Sequence, residues 1–224
     1  NNMTDTLLAA FKRIMDMTDT QTSLILSAFY GSYFCFAIPA ALFIRKYSYR
    51  AGVILGLILY AAGALLFFPA AKAASYAFYL VAIYIMAGGC SVLETTANPY
   101  IMAMGTPETA TRRLNIAQSF NPVGSIAGIL VSKYLILDNI SLYSVSKTYT
   151  ALGCVLLVIM VVMLFAKMPE GRDAASGDSV KSTLTRLAAN KRYVYGVIAQ
   201  FFYVGAQVGV WSYTIRIVMQ EMGI

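Results

Sequence analysis

Long apolar runs separated by short polar intervals set the rhythm of this chain. The runs fall at about 22–44, 51–70, 75–104, 114–137, 148–167 and 193–219. Each is of the order of the 20 residues that an α-helix needs to cross the roughly 30 Å of bilayer hydrocarbon. A membrane β-barrel would instead show short segments of alternating apolar and polar residues. The pattern here is continuous, so it predicts helices, the form in which a spanning segment satisfies its own backbone. Residues 1–14 are apolar enough to join the series but too short to span, and count as a half-helix. That makes seven segments. The run 75–104 is longer than a bilayer requires and is expected to tilt or bend, with Pro99 and the Gly88-Gly89 pair as bend points.

The polar intervals alternate in charge. The connections after the second, fourth and sixth segments hold or border Arg45, Lys46, Arg50, Arg112, Arg113, Lys167, Arg172, Lys181, Arg186, Lys191 and Arg192, eleven basic residues against five in the other set. The richer set is expected on the cytoplasmic side, which runs the first segment from inside to outside. One interval stands apart. Residues 168–190, MPEGRDAASGDSVKSTLTRLAAN, are polar and carry Pro, Gly and Ser, the composition of a linker. Within them, 182–190 could form a short surface helix with Leu184 and Leu187 on one side. Six segments, a long basic loop and a further segment is the layout of a two-half transporter. The chain does not begin with Met, and its first residues lack a signal-peptide pattern. Both ends are expected to be cut from a longer protein.

Composition narrows the class. Of 224 residues, 59% are apolar and 12% charged, where a soluble domain carries about 25% charged residues. An all-α membrane protein is therefore expected, and a soluble enzyme, a disordered chain and a disulfide scaffold are excluded. The net charge of +7 fits membrane topology and offers no water-facing basic domain for nucleic acid. Cys35, Cys90 and Cys154 lie inside apolar runs without CxxC spacing, and the chain has no His. They are expected to be small buried hydrophobes, with no metal site.

Polar residues inside the membrane carry the candidate chemistry. Glu94 lies about two-thirds along the fourth segment and Asp5 lies in the first. An ionised carboxylate in hydrocarbon costs about 2.5–3.5 kcal/mol even on translocon scales, so such a group is retained only when paired, wetted or protonated. Without histidine, these carboxyls are the evident proton carriers. Alternatives stand beside this. Asp5 could be a solvated acid near a surface, and Glu94 a structural hydrogen-bonding group. Amides gather near the acids: Asn98 four residues from Glu94, the series Asn115, Gln118, Asn121 and Ser125, and the series Gln200, Tyr203 and Gln207. Helical spacing puts each set on one face. Such stripes are expected to face a polar interior, or to act as glue between helices. Most of the 16 tyrosines, and Trp211, suit the membrane interface, where some could also stack on a sugar ring. Gly124 and Gly128 suggest close helix packing. No Walker motif, HExxH, GxSxG or regular basic voltage-sensor helix is present, so no cofactor, ATP-driven pump or hydrolase is expected.

Four stretches carry a family resemblance: Asn1-Asn2-x-x-Asp5, Leu93-Glu94-Thr95-x-Ala97-Asn98-Pro99, Arg113-Leu114-Asn115-x-Ala117-Gln118-x-Phe120-Asn121 and Ala199-Gln200-Phe201-x-Tyr203-Val204-Gly205-Ala206-Gln207. Together they resemble the L-fucose:proton symporter family of the major facilitator superfamily, over essentially the whole chain. The resemblance implies a twelve-helix fold of two six-helix bundles. Residues 1–167 would be the N-terminal bundle with its first helix truncated, 168–190 the cytoplasmic linker, and 191–224 the first helix of the C-terminal bundle. It also implies Asp5 as the protonation site, Glu94 as the acid coupling protonation to sugar recognition, and Asn2, Gln118 and Asn121 as sugar-facing. Asn98 and Gln207 join the candidate sugar site from the amide stripes. Arg45 stands where the superfamily's Gly-x-x-x-Asp-Arg-x-Gly-Arg loop has Asp. The expected function is secondary transport: proton-coupled symport of a monosaccharide, L-fucose or a hexose such as glucose or galactose, by alternating access. The alternatives are a sodium-coupled hexose transporter of the same fold and a membrane sugar sensor that does not transport. The expected partners are a sugar, a proton and membrane lipid, with no nucleic acid. The full-length protein is expected to be a monomer in the bacterial inner membrane.

Overall fold

The computed structural model describes residues 7, 10–12, 14–137, 141–166 and 180–221. Among these every regular element is a helix, in two units, 1–173 and 174–224. In the first unit a turn through Asp16, at φ 45°, leads into α1, Asp19–Lys46. Thr18 starts α1 with a capping box: its hydroxyl accepts from the Gln21 N–H at 3.3 Å, and the Gln21 side chain accepts from the Thr18 N–H at 3.0 Å. A two-residue connection follows. Ser48 then caps α2, Tyr49–Leu65, by accepting from the Ala51 N–H at 3.1 Å. α3, Phe67–Ala73, continues α2 after a break at Leu66. Pro69 explains the break, because it has no N–H for the Leu65 carbonyl one turn back. Ser75 caps α4, Tyr76–Ala103, which runs through Pro99 as a single helix.

The fifth segment departs from the sequence expectation of one helix over 114–137. It divides into α5, Ala110–Gln118, and α6, Asn121–Ser132, followed by a π-helical turn, Lys133–Leu137. Pro122 is the cause. It cannot donate to the Gln118 carbonyl, and its ring pushes against that group. Ser119 and Phe120 keep right-handed helical dihedrals through the break, so the two pieces retain one angular register. α7, Leu142–Phe165, begins six residues before the start expected from hydropathy, 142 against 148. The polar stretch at its start is held in the helix by the Ser141 cap, whose hydroxyl accepts from the Ser144 N–H at 3.1 Å. Val145, Ser146 and Thr148 are buried there. The second unit holds α8, Val180–Ala189, and α9, Lys191–Glu221.

Five helical stretches among the described residues are long and apolar enough to span a bilayer: Thr20–Lys46, Tyr49–Ala73, Tyr76–Ala103, Leu142–Phe165 and Lys191–Val210. Their outer surfaces are apolar. Phe34 and Phe165 are 82% and 84% exposed, which suits contact with lipid rather than water. Packing inside the bundle therefore gains little from burying oil and depends on close fit.

The fit is closest between α2 and α4. A Cβ on Gly63 would lie 2.5 Å from the Met86 Cα, and one on Gly89 would lie 2.6 Å from the Tyr60 Cα. Only hydrogen fits at those two points, so the backbones touch. Gly124, expected to mediate such packing, instead has open space where its Cβ would be. The glycines that bring backbones this close are on the third and fourth segments, while Gly153 on the sixth packs closely on the Leu65 side chain. Two aromatic clusters complete the core. Phe67 stacks on Tyr149 with centroids 4.2 Å apart, near Tyr79 and Phe11. Tyr49 stacks on Tyr100 at 5.6 Å, beside Leu57 and Leu156. Cys35 and Cys154 are exposed and Cys90 is half-buried, so the expected burial of all three does not hold. Cys35 and Cys154 lie on apolar helices whose outward faces suit lipid.

Candidate functional site

The site is built on α4. Its glycine-packed face, through Met86, Gly89, Leu93 and Thr96, lies against α2. At about 100° per residue, Ser91, Glu94 and Asn98 lie together about 120–180° round the helix from that face. There α4 meets α1. The Tyr33 hydroxyl donates to Glu94 Oε1 at 3.3 Å. The Ser91 hydroxyl donates to the Tyr33 carbonyl at 3.1 Å. Ser32 donates from α1 to the Tyr84 carbonyl on α4 at 2.6 Å. Glu94 is exposed among the described residues, whereas its apolar sequence neighbours suggested an enclosed setting. Those neighbours point elsewhere round the helix: Val92 is buried and Leu93 packs at Gly56.

One turn beyond Glu94, Gln118 Nε2 donates to Asn98 Oδ1 at 2.9 Å. This bond joins α4 to α5 on the same side as the acid. Asn121 follows Gln118 by three residues, and the unbroken right-handed dihedrals between them keep the two on one face. Asn115, Gln118 and Asn121 are all exposed, and Ser125 is half-buried. The carboxylate and the amides thus form a polar strip on an otherwise apolar bundle. Chemically, the strip offers one group that can exchange a proton and several amide donors and acceptors suited to hydroxyl groups.

The turn below the strip is fixed by Arg113. Its guanidinium donates to the carbonyls of Ile101 at 3.2 Å, Met102 at 2.7 Å and Thr106 at 3.2 Å, and also to the Thr109 hydroxyl. It thereby satisfies the carbonyls at the end of α4 and sets the entry of α5. Arg50, at the start of α2, donates in the same way to the Leu164 carbonyl near the end of α7. In the sequence both arginines stood out as topology charges, and Arg113 also as the start of one of the resembling stretches.

Other candidates are placed less fully. Gln207 is half-buried on α9, with Gln200 and Tyr203 exposed on the same helix of the second unit. Asn2 and Asp5 lie outside the described residues. Tyr33 went unrecognised in the sequence, where it is one of 16 tyrosines. Only its spatial position against Glu94 distinguishes it.

Comparison with known proteins supplies the family. A model of the Major Facilitator Superfamily matches residues 1–224. The chain belongs to the Major Facilitator Superfamily. This major facilitator chain is therefore a multi-pass membrane protein with the all-α fold of its family, in part. It is 42% identical to the L-fucose-proton symporter of Haemophilus influenzae, over 96% of this chain and 57% of that protein. It is 37% identical to the L-fucose-proton symporter of Escherichia coli, over 99% and 57%. The glucose/galactose transporter of Brucella abortus is 32% identical over 96% and 53%. Among solved structures, the transporter FucP in its outward conformation superposes with a TM-score of 0.83 at 37% identity, covering 96% of this chain and 58% of that one. The chain thus spans a little over half the length of the relatives it matches.

Proposed function

We propose that the protein to which this chain belongs is a proton-coupled monosaccharide symporter that works by alternating access. The observation that carries this is the polar strip on α4 and α5. There Glu94 is held by an uncharged hydroxyl, beside an Asn98–Gln118 amide pair. The identity to L-fucose-proton symporters supports L-fucose as the sugar. The lower identity to glucose/galactose transporters supports a related hexose as the second choice.

In this scheme Glu94 and Asp5 are the proton-coupling acids. Asn2, Asn98, Gln118, Asn121 and Gln207 bind the sugar. Residues 1–167 form the N-terminal bundle, 168–190 the cytoplasmic linker and 191–224 the first helix of the second bundle. The assembly is a monomer in the bacterial inner membrane. A proton gained at Glu94 removes a charge from the strip. Moving a two-state equilibrium from one side to the other takes about 5.5 kcal/mol, a size that neutralising a membrane carboxylate can supply in large part. Sugar hydroxyls pair with the amides, and a sugar that leaves an amide unpaired is penalised.

The test is uptake of labelled L-fucose, D-glucose and D-galactose by the full-length protein in proteoliposomes. A proton gradient should drive accumulation without sodium. Glu94→Gln and Asp5→Asn should each lower that accumulation by about ten-fold or more, since each removes a titrating group. Accumulation that follows a sodium gradient instead would establish sodium coupling. Sugar binding without flux would establish a sensor.

A further inference from the structure

Tyr33 meets α4 at three polar side chains. Its carbonyl accepts from Ser91 Oγ at 3.1 Å, and Ser91 is only 2% exposed. Its hydroxyl donates to Glu94 Oε1 at 3.3 Å and contacts the Cys90 thiol. Its ring packs on Phe29 within α1, with centroids 5.3 Å apart. The backbone anchor is thus sealed from its surroundings, while the hydroxyl reaches out to the exposed carboxylate. A tyrosine held at both ends in this way has little freedom to follow a wandering side chain. It makes the side chain come to it.

We propose that Tyr33 is a positioning residue for Glu94: seated on Ser91 and Phe29, it fixes the carboxylate and ties the charge state of that acid to helix α1. This rests on the coupling role of Glu94 given above. A hydrogen bond donated to an ionised carboxylate is stronger than one to its neutral acid. The contact between α1 and α4 therefore tightens when Glu94 is charged and slackens when it takes a proton. Among the described residues, the other groups near Glu94 do not duplicate this. Cys90 lies on the same helix, one turn back, and also touches the Tyr60 hydroxyl from α2. The Gln118 amide from α5 is bonded to Asn98. Of these neighbours, Tyr33 is the one that reaches the carboxylate from a different helix.

Tyr33→Phe in the full-length protein isolates the hydroxyl, because the ring and the backbone anchor remain. In proteoliposomes, proton-driven accumulation of L-fucose should fall about three- to ten-fold, the size of one modest hydrogen bond. The loss should appear in Vmax, with the KM for L-fucose exchange at equal pH within about twofold. The thermal midpoint of the purified protein should match wild type. Tyr33→Leu, which also removes the ring, should lower it. Wild-type accumulation in Tyr33→Phe overturns the proposal. So does a loss that affects exchange and thermal midpoint equally, since that marks a packing role alone. Glu94→Gln run in parallel separates the two claims. If it accumulates like wild type, the coupling role of Glu94 fails and Tyr33 has nothing to position. If it fails to accumulate while Tyr33→Phe is normal, the role of Tyr33 alone is refuted.

Discussion

Asn98 and Gln118 come from segments that sequence distance keeps twenty residues apart, and they meet through one amide–amide bond of 2.9 Å. Amide bonds between membrane helices are worth about 0.6–2 kcal/mol. If the pair also presents its remaining donors and acceptors to sugar, Gln118→Ala should raise the KM for L-fucose uptake by about three- to thirty-fold, the same energy written as an affinity. Asn98→Ala should do the same. The double variant should cost less than the two single effects multiplied, because each single change strands the other amide. Uptake kinetics of the four proteins measure this, and full multiplication of the effects would separate the two residues. That Glu94, Asn98, Gln118 and Asn121 are a candidate group was legible from their types and helical spacing. The bond partners were not. A period of 3.6 says which face a residue shares, but not which neighbouring helix lies opposite. The roles of Tyr33 and Arg113 in packing became visible only once α1 and α5 were set against α4.

At the scale of the helix, glycine and proline decide how segments pack and where they break. Gly63 and Gly89 let α2 and α4 touch backbone to backbone. Gly63→Val should therefore force the helices apart and lower the yield of folded protein. Gly124→Ala, facing open space, should be neutral or slightly stabilising, since alanine favours helix over glycine by up to about 1 kcal/mol. Size-exclusion profiles and thermal midpoints of the two variants make the comparison. A well-folded Gly63→Val would contradict the observed contact. The existence and order of the helices followed from apolar runs, because hydrocarbon imposes a minimum length. Their ends were less legible. α7 starts at Leu142 because Ser141 caps it, and hydropathy does not register a cap. Of the GxxxG pair read as close packing, Gly124 faces open space in this chain, while Gly63 and Gly89 form the backbone contact. The spacing marks a helix that can pack closely, while the shape of the partner decides whether it does. Pro122 splits the fifth segment for a reason present in the sequence, a missing N–H, that apolar character alone overlooks.

For the whole molecule, the arginines that set orientation also close the helix ends on one side. Arg50 binds the Leu164 carbonyl, and Arg113 binds those of Ile101 and Met102. Positive charge placed at helix C-termini is favourable in its own right, so topology and packing select the same residues. The charge bias predicts that this side faces the cytoplasm. In a full-length protein cleared of its native cysteines, Tyr143→Cys should react with a membrane-impermeant thiol reagent added to intact cells. Glu108→Cys should react only after the cells are opened. The reverse pattern would invert the orientation. The contact of α2 with α4 has one more consequence. Two helices whose main chains touch through glycine cannot slide or rotate past each other without collision, so they must travel together. If the protein works by changing shape as proposed, this pair is a fixed frame of reference, and the displacement of every other helix is best measured from it.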